Sequence, residues 1–354
     1  MSETLDLLTD AAARLFGSDS EDKTARAARD GGNVAAIWEQ VVDMGLPLAL
    51  LSEEEGGFGL SAYEALQLIR ISARNGAAVP LGETMVANWI MARAGLSVME
   101  GMATLAVLPA EAIGEDGRLS ATGHWVPWGR DAETLVVLAG DRVASLAKGS
   151  FEAKAVQDGN RLPRADLSID TVLEDGSVAA RPASLDDVTV RAAMALVRAL
   201  EMAGAMAAIL EIAVDYVNQR TQFGRPLGKF QAIQQQLAVL ADEAAAANAA
   251  CDLAASQWGA TVPVLSAAVA KARAGEASAP VTAIAHQVLG AIGFTEEHRL
   301  QLFTRAIWTW RNEYGSEREW NRMLGQAAFG AGGTLWSWLT GPALSRTKNA
   351  GEAA

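Results

Sequence analysis

Apolar residues recur three and four apart over two long stretches, from about Leu5 to Ala103 and from about Val188 to Thr340. That spacing gathers them on one face of an α-helix. Trp38, Val41, Val42 and Leu46 show it in the first stretch. LSEEEGGFGL at Leu51–Leu60 interrupts it: Gly56–Gly57 predicts a tight turn, and Ser61 is placed to cap the helix that follows. Between the two helical stretches the pattern changes. Short apolar runs at Leu105–Leu108, Leu135–Leu138 and Arg142–Leu146 alternate with turn pairs at Asp116–Gly117, Asp158–Gly159 and Asp175–Gly176. Runs of that length divided by Asp-Gly predict antiparallel strands. Helices, then a small β region, then longer helices is an α+β plan with segregated elements, not an alternating βαβ one. The expected division is an N-terminal helical domain over 1–103, a middle β domain over 104–185 and a C-terminal helical bundle over 186–354. Ala244–Ala250 is an Ala-rich helical segment, and the small, polar tail after Leu344 is expected to fray.

Composition narrows the function classes. Half of the 354 residues are apolar and a fifth are charged, which excludes disorder along most of the chain. Lys and Arg number 29 against 42 Asp and Glu, a net charge of −13. An acidic balance argues against nucleic acid or an anionic membrane surface as partner, since both call for a basic face. Cys251 is the single cysteine, so no internal disulfide and no multi-cysteine zinc site can form. The first residues, MSETLDLLTDAAARLFG, are acidic where a signal peptide is basic. Apolar runs are broken by charges before about 18 residues, so no transmembrane helix is expected. A cytoplasmic location fits these features.

The usual catalytic constellations are scarce. His124, His286 and His298 fall in no metal-ligand spacing, and the chain has no GxSxG, Walker or GxGxxG motif. Cys251 on its Ala-rich helix reads as a core residue. Three segments stand out. YVNQRTQFGRPLGKFQ at Tyr216–Gln231 follows the end of a helix with an Arg, an aromatic, a Gly and a Pro. Arg220 and Phe223 have the chemistry to hold a phosphate and stack on a base. The same pattern also describes a charged helix–helix turn. QVLGAIGF at Gln287–Phe294 carries Gly290 and Gly293, suited either to close approach by a ligand or to close helix packing. HWVPWGRDAETLVVL at His124–Leu138 puts two tryptophans around a proline ahead of a strand. Trp125 there either walls a planar cofactor or fills the space between sheet and helices.

Taken together, these segments resemble the acyl-CoA dehydrogenase family over nearly the whole chain. WEQVVDMGLPLALLSEEEGGFGLSAYEA at Trp38–Ala65 looks like the family's N-terminal stretch. RTQFGRPLGKFQAIQQQLA at Arg220–Ala238 is similar to its most specific signature, and QVLGAIGF with the Arg305 region resembles its C-terminal stretch. The resemblance implies an acyl-CoA dehydrogenase-like fold with an N-terminal helical domain, a small middle β-barrel-like domain and a C-terminal four-helix bundle. It also implies FAD, an oligomer, and α,β-dehydrogenation of an acyl-CoA thioester. In that reaction a Glu takes the α-proton, a hydride leaves the β-carbon, and an electron-transferring flavoprotein accepts the electrons. By the same resemblance Arg220, Phe223, Gly224 and Gln231 contact the cofactor of the neighbouring subunit. Gln287 and Gly290 close over its adenosine, and Trp125 lies beside the flavin ring.

The chain departs from the family pattern in several places. The middle stretch that lines flavin and thioester in relatives is absent, AVLPAEAIGEDG standing there instead, and Pro127 occupies a position where many members have a Thr. Proline brings neither a hydroxyl nor an N–H. Ala291 replaces a Gly, and the β region is short. Aligned on Arg305 and Gly315, Tyr314 falls where the catalytic Glu is expected, with Glu313 one residue earlier, about 100° away on a helix. The alternative family position for the base falls at Met194; Glu201, seven residues later, shares roughly that face. Glu313 and Glu201 are therefore the two candidate bases, each also readable as a surface or paired carboxylate.

This selective loss resembles the shorter subunit of bacterial heteromeric steroid and sterol side-chain acyl-CoA dehydrogenases, which completes the FAD site of a base-bearing partner. The competing expectations are a self-sufficient homomeric dehydrogenase using Glu313, a non-catalytic scaffold for a partner dehydrogenase, and an oxidase or monooxygenase using O2. The clustered Trp308, Trp310 and Trp320 are expected to be buried between subunits.

Overall fold

The computed structural model describes residues 3–17, 22–32, 34–156, 159–332 and 334–340. The tail beyond Leu344 and Asp158 of the Asp158–Gly159 pair lie outside the described residues. Contacts divide the chain into two compact units, Met1–Ser72 with Gly76–Asp187 and Ala73–Asn75 with Val188–Ala354. The expected first helical stretch and the β region fall almost wholly in the first unit.

The first unit opens with α1 (Glu3–Gly17), α2 (Lys23–Arg29), α3 (Ala35–Asp43), α4 (Ala62–Arg74) and α5 (Leu81–Arg93). Ile37, Trp38 and Val41 form the buried face of α3. Ser61 caps α4: its hydroxyl accepts from the Glu64 backbone N–H at 3.3 Å, and the Glu64 carboxylate accepts from the Ser61 N–H at 2.9 Å. Helix α5 is buried on every side, and its polar residues serve the backbone around it. Asn88 donates to the carbonyls of Pro47 and Met99 and accepts from the Met99 N–H. One turn earlier, the Thr84 hydroxyl exchanges hydrogen bonds with the Ala103 N–H and C=O at the start of the first strand.

Seven strands follow: β1 (Ala103–Leu108), β2 (Arg118–Pro127), β3 (Thr134–Ala139), β4 (Arg142–Ala147), β5 (Phe151–Ala155), β6 (Arg164–Val172) and β7 (Val178–Ala180). They form two sheets, ordered β1-β3-β4-β7 and β2-β6-β5, packed over a shared core that includes Leu119, Val126, Leu135, Val137, Leu146, Leu167 and Ile169. No closed barrel forms among the described residues; the β part is two open sheets. A second difference is that β1 pairs with β3 in parallel, whereas Asp-Gly turns imply antiparallel neighbours throughout. The turn after β1 leads into β2 of the other sheet, and the chain returns to lie beside β1 only at β3.

The second unit is helical: α6 (Asp187–Gln219), α7 (Gln231–Gln257), α8 (Val264–Leu289), α9 (Leu300–Asn312), α10 (Glu317–Gly330) and α11 (Leu335–Thr340), with the two-residue strands β8 (Thr221–Gln222) and β9 (Arg225–Pro226) between α6 and α7. Ala, Gly and Met fill much of α6, and most of its residues from Val190 to Ile209 are buried. Helices α6 and α8 are long and apolar enough to cross a membrane, but 89% of the apolar window of α6 is buried inside the protein. Helices α7 and α8 run antiparallel, joined across their length by Gln257 with Ser266 near the connecting loop and by Glu243 with Arg273 further along. Cys251 is buried on α7.

Asn88→Ala removes the donor of two carbonyls and the acceptor of one N–H from a fully buried side chain. The expected loss is about 2–4 kcal/mol of stability, read as a fall in urea midpoint at unchanged slope. An unaltered midpoint would show that α5 does not anchor these loops.

Candidate functional site

Helix α6 ends at Gln219, and the chain reverses through a hairpin. The Arg220 N–H closes the last turn of α6 on the Tyr216 carbonyl, and the Arg220 carbonyl accepts from the Leu227 N–H. Strands β8 and β9 pair Thr221 with Pro226 and Gln222 with Arg225, leaving Phe223 and Gly224 as the two turn residues. Both have positive φ, 52° and 79°. That is the type I′ geometry of a tight hairpin, ordinary for Gly and unusual for Phe. The turn lifts the Phe223 ring to 88% exposure, edge-on to Phe230. Arg220, Gly224 and Gln231 are exposed as well.

At the far end of α8, Gln287 is exposed and Gly290 terminates the helix at φ 63°, ψ −143°, a conformation only glycine adopts readily. Because α7 and α8 are antiparallel, Gln287 and Gly290 share an end of the helix pair with Gln231 and the hairpin. The structure thus brings these six sequence-selected residues to one end of the second unit. A Cβ built on Gly224 or Gly290 would meet nothing. His286 lies just before this turn, its ring stacked on Phe294 at 4.5 Å, and burial lowers its pKa with a smaller push from His298.

Trp125 belongs to the first unit. A β-bulge between Gly123 and Val126 turns it out of the β2–β6 ladder at φ 57°, with 52% of its surface exposed and its N–H donating to Asp166. Pro127 ends the strand, and its carbonyl accepts from the buried Thr104 hydroxyl at 2.7 Å.

The two candidate bases meet on one cation. Arg198 of α6 is 1% exposed. Its Nη1 donates to Glu201 Oε2 at 2.7 Å and its Nε to Glu313 Oε2 at 2.5 Å. The ring of Tyr314 lies 5.6 Å from the guanidinium carbon. Glu313 follows α9 with an extended backbone, and its side chain keeps 16% exposure. Tyr314 is left-handed at φ 54°, and its carbonyl accepts from Arg191 Nε and Trp320 Nε1, each at 3.1 Å. Gly315 has φ 105° and lies so close to Arg191 and Trp320 that a Cβ does not fit. Ser316 and Glu319 then form a capping box that starts α10. Trp320 is buried within this chain at 2% exposure, so it is not the intersubunit residue expected; Trp308 keeps 37% exposure.

Pattern reading missed the residue beneath this turn. Lys271 of α8 is fully buried, and its amine donates to the carbonyls of Arg311 at 2.6 Å and Gly315 at 2.8 Å. Burial lowers its pKa to about 7; Glu317 and Glu319 oppose the shift, and Arg198 and Arg191 add to it. The available signal was a lone Lys in the small apolar run SAAVAKARAG. Along α8, Gln287 lies sixteen residues past Lys271, about 24 Å at the helical rise. The candidate bases and the exposed hairpin end are therefore two separate clusters.

The chain is similar to known proteins over most of its length. Residues 192–323 match the sequence profile described as Acyl-CoA dehydrogenase, C-terminal domain. Acyl-CoA dehydrogenase IpdE2 of Mycolicibacterium smegmatis is 27% identical over 336 residues, covering 93% of this chain and all of that protein. A chain of the crystal structure of the ChsE4-ChsE5 complex from Mycobacterium tuberculosis superimposes with a TM-score of 0.82 at 20% identity, covering 94% of this chain and 99% of that one. The Tcur3481-Tcur3483 steroid ACAD, in a G363A variant, matches with a TM-score of 0.78 at 25% identity, covering 93% and 99%.

Arg198→Met leaves a buried and a part-buried carboxylate without their shared cation, and about 3 kcal/mol of stability should be lost. Loss of less than about 1 kcal/mol in chemical denaturation would mean that the triad is not buried in solution. Lys271 gives a pH signature. Its folded pKa is depressed, so between about 7 and the unfolded value of 10.5 the unfolded chain binds more protons, and the contribution of Lys271 to stability rises with pH through that window. Wild-type stability should therefore climb more steeply than that of Lys271→Met between about pH 7 and 9. Parallel curves would contradict it.

Proposed function

We propose that the chain is a member of the acyl-CoA dehydrogenase family and the subunit of a heteromeric FAD-dependent enzyme that completes the cofactor site of a partner carrying the catalytic Glu. One observation carries this reading. Both carboxylates that could serve as base are bonded to Arg198, while the cofactor-type residues stand exposed at the other end of α8. An ion-paired carboxylate is a poor proton acceptor. An exposed guanidinium and ring on a rigid hairpin are suited to a ligand presented by another chain.

The exposed end fits FAD chemically. Arg220 supplies a guanidinium for the pyrophosphate and Phe223 a ring for the adenine. Gln231 and Gln287 offer amides that donate and accept, and Gly224 and Gly290 leave backbone open to close approach. FAD supplies, when bound, the acceptor for the hydride that leaves the β-carbon of the acyl-CoA. Trp125, held out of its strand by the bulge, offers a flat apolar wall of the kind that borders a flavin ring. The names of the ChsE4-ChsE5 complex and of the Tcur3481-Tcur3483 steroid ACAD support a two-subunit assembly and a bulky steroid-type acyl-CoA. An electron-transferring flavoprotein is the acceptor that goes with this chemistry.

A second reading has its own support. Glu313 keeps part of its surface exposed and sits one residue from the expected base position, which suits a self-sufficient homomeric enzyme. An absorption spectrum with subunit stoichiometry separates the two. In the heteromeric case the chain alone is colourless, and with its partner it turns yellow at about one flavin for every two chains. Glu313→Gln then keeps kcat within about threefold. A yellow chain with one flavin each, whose turnover is abolished by Glu313→Gln, would overturn the proposal in favour of the homomeric enzyme.

A further inference from the structure

We infer that Lys271 is a positioning residue: by binding the carbonyls of Arg311 and Gly315, its amine sets the turn between α9 and α10 and thereby where the Glu313 and Tyr314 side chains lie. A lysine between Ala270 and Ala272, on the buried face of a helix, costs far more than the alanine its neighbours use. What it supplies is a donor to two backbone carbonyls. The Arg311 carbonyl lies in the last turn of α9, whose carbonyls lack intrahelical partners, and the Gly315 carbonyl lies just before α10. The amine joins the two across four residues of chain.

Those residues adopt a path that does not form by itself. Glu313 is extended, Tyr314 left-handed and Gly315 at φ 105°. A left-handed Tyr costs about 1–2 kcal/mol, so its surroundings must over-determine it. Arg191 and Trp320 hold the central carbonyl, of Tyr314, and Lys271 holds the two that flank the turn. With the path fixed, the Glu313 carboxylate reaches Arg198, and the Tyr314 ring lies over the same guanidinium. The inference concerns the shape of the turn and stands whichever subunit supplies the base.

The charged groups acting on the amine are Glu317 and Glu319 of α10, and Arg198 and Arg191 of α6. Glu317, bonded to Arg311, and Glu319, bonded to the Ser316 N–H, are both held below the usual carboxylate range, so they stay ionised near neutrality. An ammonium has three donors and a neutral amine two weaker ones. Loss of the Lys271 proton therefore loosens the turn without freeing it, and the Trp320 indole N–H, bonded to the Tyr314 carbonyl, reports the change.

The test is nuclear magnetic resonance on the full chain, with the Trp320 indole signal assigned by Trp320→Phe and the Lys271 Cε signal by Lys271→Met. In the wild type, both signals should move between about pH 5.5 and 9 with one shared midpoint. In Lys271→Met the Trp320 signal should shift and lose its pH step. Amide exchange at Glu313–Gly315 should rise at least about tenfold while α8 and α10 keep their protection. A Trp320 signal that stays flat while Lys271 titrates would overturn the inference, as would a folded Lys271→Met whose turn exchanges at the wild-type rate. If Lys271→Met does not fold, the wild-type titration, with Lys271 Cε assigned by triple-resonance methods, decides alone.

Discussion

A guanidinium shut away from water must be answered by charge, and in this chain Arg198 decides how the helices around it are joined. Six buried apolar positions precede it in α6, and on its other side Glu201 alone interrupts the buried apolar run to Met206. One counter-charge, Glu201, comes from the same helix face, three residues on, and the other, Glu313, from a turn more than a hundred residues later. Bringing Glu313 there requires the backbone between α9 and α10 to take a path that ordinary residues avoid. That path needs Arg191, Trp320 and Lys271 to hold it and Ser316 to begin the next helix at once. Desolvation makes each part of this polar island costly alone, and the parts are tolerable only together.

The same constraint separates the chemistry of the molecule into two places. Helices α7 and α8 act as a rigid spacer with the polar island toward the end that carries their connecting loop and the hairpin of Phe223 and Gly224 at the other end. A ligand at the exposed end touches nothing that Arg198 organises. On the proposed function, joining the two chemistries in one reaction takes a second chain, and the length of α8 between them supports that division of labour.

Much of this was legible in the residues. The helix–strand–helix order, the cap at Ser61 and the end of a helix at Gln219 all rest on local chemistry, which short spacing carries well. What escaped was non-local. Parallel pairing of β1 with β3 leaves no mark in either strand, because alternation states which face is buried and says nothing of which neighbour lies alongside. Trp320 looked like an interface residue until Tyr314 and Arg191 surrounded it. The Arg198–Glu201 pair was readable at i, i+3, but nothing local ties either to Glu313 or marks Lys271 as buried.

The parallel pair also bears on how the molecule is made. Strand β1 has to wait until the whole of β2 has been laid into another sheet before β3 can join it, so this part closes large loops before gaining contacts. Helices α7 and α8 need only a short loop to meet. The ribosome delivers the β region first and the α7–α8 pair later, so the sheets have the synthesis of the C-terminal helices in which to find their register. Chain order thereby gives the sheets, which must close large loops, a head start over the helix pair that closes a short one.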